Sequence, residues 1–106
     1  MPERLEQHPY VREDLIEIHQ HIASDNPEAA DRVIEAIRAL FSRLKHHPLC
    51  GSRYHHPEIQ DLRKALVPEF RNYIVFYRRL PGVIRVLHVL HGARDLPRVL
   101  RDEARR

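Results

Sequence analysis

Nine histidines and eighteen lysines and arginines carry most of the reactive or charge-binding chemistry available to this sequence. The histidines do not have metal-site spacing. His19 and His21 are two residues apart and fall on different faces of a helix, while His46-His47 and His55-His56 are adjacent pairs whose side chains diverge. No His-x-x-x-His spacing accompanies a carboxylate, so no metal is expected. Cys50 is the single cysteine, which excludes an internal disulfide framework and most cysteine-built zinc sites. No sequence neighbour of Cys50 looks like a base that would make it a nucleophile. The glycines are Gly51, Gly82 and Gly92, so there is no glycine-rich loop to cradle a phosphate, and no nucleotide or other cofactor is expected.

The arginines are unevenly placed. Residues 1–50 hold 6 basic and 9 acidic side chains, a balance of −3; residues 51–106 hold 12 and 6, a balance of +6. Eleven of the 12 basic residues in the second half are arginine. The planar guanidinium fork suits bidentate pairing with carboxylates or phosphates better than an ammonium does. An acidic partner, protein or nucleic acid, is the functional implication; a solvated basic face is the plain alternative.

These side chains are carried by elements that the pattern outlines. Residues 4–8 are a short candidate strand. Pro9 suits the first position of a helix, and Val11, Leu15, Ile18 and Ile22 follow on one helical face, with Arg12, Glu13, Glu17 and Gln20 opposite. The helix should stop near Ser24. Asn26 as cap, Pro27 in the first turn and Glu28 beside the helix dipole open a second helix. Its apolar stripe is Ala30, Val33, Ile37, Leu40, Phe41 and Leu44, and His46-His47-Pro48 ends it. Such a short connection makes an antiparallel helix hairpin. Residues 49–60 read as a loop. Residues 62–67, 70–79 and 83–91 then read as strands, with Pro68-Glu69 and Pro81-Gly82 as turns. A short C-terminal helix is expected over 94–103, with Pro97 in its first turn.

The strands are apolar on both alternating sets. Tyr73, Val75 and Tyr77 oppose Ile74 and Phe76; Val83, Leu87 and Val89 oppose Ile84, Val86 and Leu90. A sheet with one wet face alternates apolar and polar instead. The helix hairpin covers one face. The other calls for the C-terminal segment or a second chain.

The fold class is therefore α+β: a short N-terminal strand, a helix hairpin on a three-to-four-stranded antiparallel sheet, and a short C-terminal helix. A chain of 106 residues forms one domain, 1–106. Its hydrophobic content of 42% and charged content of 31% are those of a globular chain. The longest apolar runs are far too short for a bilayer, no secretory signal is visible, and one cysteine suits a reducing cytoplasm. A cytoplasmic protein without membrane contact is expected.

In this order the elements resemble the RelE/ParE family of bacterial toxins from type II toxin–antitoxin operons, over nearly the whole chain. The residues that carry the resemblance are Arg12-Glu13-Asp14-Leu15 with Ile18 and Ile22, then Asp25-Asn26-Pro27-Glu28-Ala29-Ala30. Further on come Leu62-Arg63, Tyr73-Ile74-Val75-Phe76-Tyr77-Arg78 and Val89-Leu90-His91-Gly92-Ala93-Arg94-Asp95-Leu96. The ending is similar to the ParE branch, the plasmid-stabilisation toxins. The resemblance implies a cognate antitoxin that wraps the toxin, and DNA gyrase as a target inhibited by binding, without catalysis.

The RelE branch implies the alternative, a ribosome-dependent mRNA endonuclease, with cations to stabilise the strained phosphate and a general acid and base. Arg63, Lys64, Arg71 and Arg94 fall at roughly corresponding basic positions. The tyrosine commonly found near the RelE C-terminus has no counterpart, since nothing aromatic follows Tyr77. His91 is the residue that could replace it, because an imidazole titrates near neutrality. Arg94-Asp95 would pin the last strand to the terminal helix. Arg78, Arg79 and Arg85 form a basic hairpin end and, with Arg63, Arg71 and Arg94, are the expected partner-binding residues.

Overall fold

The structure is a computed structural model and describes residues 2–92. Strand β1 (Arg4–Gln7) leads into helix α1 (Pro9–Ala23) and helix α2 (Pro27–His46). Strands β2 (Ser52–Arg53), β3 (Leu62–Val67), β4 (Phe70–Leu80) and β5 (Val83–His91) follow. The expected C-terminal helix, Arg94 and the Arg94-Asp95 pair lie outside the described residues.

Both helices start as their sequences dictate. Pro9 and Pro27 occupy first turns where an amide hydrogen has no intrahelical partner. Asn26 caps α2, its Oδ1 accepting from the Ala29 amide at 3.1 Å. The cap of α1 is less usual: His8 Nδ1 accepts from the Tyr10 amide at 3.2 Å. His19 Nε2 of α1 pairs with Asp31 Oδ1 of α2 at 2.9 Å, tying the two helices together.

The sheet has five strands in the order β1-β5-β4-β3-β2. It extends the expected antiparallel sheet at both edges. Two residues of the predicted loop, Ser52 and Arg53, pair with β3 as β2. Strand β1 pairs with β5 in parallel, Arg4 opposite Val83 and Gln7 opposite Val86, with the helix hairpin as part of the crossover that a parallel neighbour requires. Strand order is not written in a four-residue segment with one apolar side chain, Leu5. The predicted turns hold: Pro81-Gly82 joins β4 to β5 with Gly82 at φ 72°, and Pro68-Glu69 joins β3 to β4 with Glu69 at φ 71°.

The main core lies between the helices and one sheet face. It joins Val11, Ile18, Val33, Ile37, Leu40, Phe41 and Leu44 to Ala65, Val67, Val75, Tyr77, Ile84, Val86 and Val89. One expectation about β5 needs correction. Leu87 does not share a face with Val89. Phe76 stands opposite His88 but Tyr77 opposite Val86, so Leu87 is an extra residue, a β-bulge that reverses the alternation beyond it. Ile84, Val86 and Val89 face the helices, while Leu87 belongs to the second cluster on the outer face, and Leu90 packs against that cluster.

Among the described residues, part of that outer face is covered from within the chain. Residues 54–61, predicted as plain loop, fold back over it. Ile59 joins Leu62, Phe76 and Leu87 in a buried cluster against which Tyr54, Ile74 and Leu90 pack. The Tyr54 ring meets Phe76 edge-on at 5.4 Å.

Candidate functional site

The basic residues singled out in the sequence are distributed to opposite ends of the sheet and to both of its faces. At the β4–β5 turn, Arg78 and Arg85 are directly opposed across the two strands. Opposed residues share a face, and here it is the outer face, since Arg78 Nε donates to Gln60 O of the covering segment at 3.0 Å. Arg79 belongs elsewhere. Its alternation turns it to the helix side, where its guanidinium donates to Glu3 Oε1 at 2.9 and 3.1 Å. The expected three-arginine patch is thus two arginines on one face and a third engaged in an ion pair.

Arg63 points towards the helix side and is partly buried. Its Nη1 donates to Gly51 O at 2.6 Å. The Gly51 amide donates to Tyr77 Oη at 3.0 Å, and that hydroxyl donates to Pro48 O at 2.9 Å. This network fixes the chain where it leaves α2. A Cβ on Gly51 would stand 2.6 Å from Lys64 O, so only glycine fits. Burial pushes the Tyr77 hydroxyl above its ordinary pKa, against the lowering effect of the Gly51 amide; Cys50 adds to the rise and Arg63 opposes it.

Arg71 and His91 lie at the other end. Arg71 is exposed at the start of β4, and His91 is exposed at the end of β5, its ring edge-on to Tyr73 at 5.0 Å. Arg63 is opposite Tyr77, six residues along β4 from Arg71, which corresponds to roughly 20 Å of extended strand. The structure therefore does not bring Arg63 together with Arg71.

Beside His91, a groove of about 180 Å³ runs between α1 and the end of β5, lined by Asp14, Glu17, Ile18, His21, Tyr73 and Leu90, among others. Asp14, which lines it, stands in the Arg12-Glu13-Asp14-Leu15 motif but was given no role in the sequence. Asp14 Oδ2 accepts from the Val89 amide at 3.0 Å and pairs with His88 Nδ1 at 2.9 Å. Strand β1 ends opposite Val86, so this carboxylate takes the place of a strand at the bare edge of β5. His88 is 4% exposed and stacks on Tyr10 at 5.3 Å. The signal was present in the sequence: Asp14 stands three residues after Val11 and four before Ile18, on the apolar stripe itself.

Four of the histidines make structural contacts: His8 caps, His19 ties helices, His56 Nδ1 accepts from the Glu58 amide at 3.1 Å, and His88 pairs with Asp14. Among the described residues no group of three or more histidine, cysteine or acidic side chains could hold a metal ion. Nor is any described helix long and apolar enough to cross a membrane.

A helix hairpin packed on one face of a five-stranded mixed sheet defines the class, an α+β fold. Residues 5–96 match the family model described as the ParE toxin of the type II toxin-antitoxin system, parDE. The chain belongs to the ParE toxin family. Among solved structures, one chain from the chromosomal ParDE TA system from P. aeruginosa is similar, with a TM-score of 0.69 at 18% identity. The match covers 85% of this chain and 96% of that one. Comparison with curated proteins returns no match.

Proposed function

We propose that this ParE-family toxin acts by binding DNA gyrase and that a cognate antitoxin neutralises it by occupying its basic surface. The observation that carries this reading is the family match over 5–96. The arrangement of the arginines supports a binding role. Arg78 and Arg85 stand side by side on the outer face, a like-charge pair that is unfavourable alone and that acidic groups would relieve. Arg63 and Arg71, which an RNA-cleaving site would use together, are separated along the sheet, and Arg63 is occupied by Gly51 O.

Pulse-labelling of DNA and protein synthesis, just after inducing the chain without antitoxin, tests the target. DNA synthesis falling first supports gyrase, and a purified supercoiling assay follows. Translation collapsing first overturns the reading in favour of an mRNA endonuclease, the function proposed by analogy with the RelE branch. In that case His91→Ala should abolish toxicity while the protein stays folded. Co-purification with the product of a neighbouring reading frame tests the antitoxin pairing.

A further inference from the structure

The outer face of the sheet is organised in three cross-strand rows. Leu66, Ile74 and Leu90 stand opposite one another across β3, β4 and β5. The middle row holds Lys64 and Phe76 with the bulged Leu87, and the last holds Leu62, Arg78 and Arg85. Residues 54–61 lie over the middle and last rows, and Phe76, Leu62 and Leu87 are 0%, 2% and 3% exposed on a face that neither α1 nor α2 covers. The first row is only half-covered, and Leu66 is 38% exposed.

The hold on this segment is light. Among the described residues, two hydrogen bonds tie it to the sheet: the Tyr54 amide to Leu62 O at 2.9 Å, and Arg78 Nε to Gln60 O. Its apolar anchors are Ile59 and Tyr54. Asp61, where it rejoins β3, has φ 55°, a left-handed conformation that a non-glycine residue adopts at some cost. A depression of about 570 Å³ lies along it, lined by His55, His56, Pro57, Ile59 and Gln60, among others. Few hydrogen bonds to the sheet are one mark of a segment that opens locally.

We propose that residues 54–61 are a displaceable strap, and that the floor it uncovers docks an acidic segment with one apolar face. The floor is Leu62, Phe76 and Leu87, continuous with Leu66, Ile74 and Leu90. Opening releases the two cations that now hold the strap, Arg78 from Gln60 O and Lys64 Nζ from its place 5.7 Å over the Tyr54 ring. With Arg85 they rim the apolar floor with positive charge, and that charge selects the occupant. This assignment of the occupant deepens the antitoxin reading above and rests on it. Closure of the strap then competes with the partner, so the toxin keeps its own apolar face dry until the antitoxin arrives.

Competition gives a signed test. Loosening the strap with Ile59→Ala should raise hydrogen exchange at 54–61, leave exchange in β4 and β5 unchanged, and tighten binding by the same factor, about tenfold or more. Binding is read twice. The first probe is 8-anilinonaphthalene-1-sulfonate, an apolar anion, on the full chain alone; the second is the product of the neighbouring reading frame. Pro57→Gly, which loosens the strap without touching the floor, should shift both in the same direction. Affinities that fall or stay the same in both variants overturn the strap. Failure of the wild-type chain to form any complex with that product overturns the antitoxin as occupant, while the dye titration still decides whether the strap opens.

Discussion

Tyr77 shows how one side chain can hold together parts of the chain that are distant in sequence. Its hydroxyl gives to Pro48 O and receives from the Gly51 amide, so Tyr77→Phe leaves two buried backbone groups without partners. A loss of about 1–3 kcal/mol in urea unfolding is expected. The same hydroxyl makes stability depend on alkaline pH. Its pKa is raised in the folded state, so unfolded chains release the proton first as pH climbs past about 10. The contribution is full below that point and is lost as pH rises through the folded value. Wild-type stability should therefore drop there more steeply than that of Tyr77→Phe. Asp14 is the second such residue. Asp14→Ala strands the Val89 amide and His88 Nδ1 together, and a loss of about 2–4 kcal/mol by the same assay is expected. Neither network could be read from residue spacing, because each joins groups dozens of positions apart; only the placement of Asp14 on an apolar stripe hinted at it.

Helix and strand positions were far easier to read than their partners. The 3.6-residue stripes, the prolines and the Asn26 cap located both helices, and strands β3 and β5 have the bounds that their apolar runs predicted. These are local signals. The Leu87 bulge was hidden because both faces of β5 are apolar, so a slip in alternation leaves no polar residue out of place. For the same reason the sequence said that both faces must be covered without saying by what, and a twelve-residue stretch with no period concealed the segment over the outer face. The cap offers a clean test at this level. Asn26→Ala removes the bond to Ala29 N and should lower stability by about 1 kcal/mol, with the fold unchanged by circular dichroism.

Across the molecule, charge is sorted by face as well as by half. The arginines of the second half looked like one patch, yet the ion pair between Arg79 and Glu3 ties the β4–β5 turn to the N-terminus, while Arg78 and Arg85 remain on the outer face. Arg85→Gln, which leaves the Arg78 bond to Gln60 O in place, should weaken antitoxin binding at low salt, by a factor that shrinks as salt is raised. Adding Arg79→Gln should cost stability more than affinity. Equal affinity at low salt for wild type and the Arg85 variant would deny the outer face a role in steering.

The parallel pairing of β1 with β5 also sets a schedule for synthesis. Arg4 has Val83, much later in the chain, as its partner, and Asp14 has His88 and Val89. Contacts so far apart in sequence close late and slowly. The first two helices can pair on their own as they emerge, but their amino-terminal strand must wait until Val83–His91 has been translated. A chain that stops earlier lacks the strand that joins β1 to the rest of the sheet, so the sheet closes only after Val83–His91 has been made.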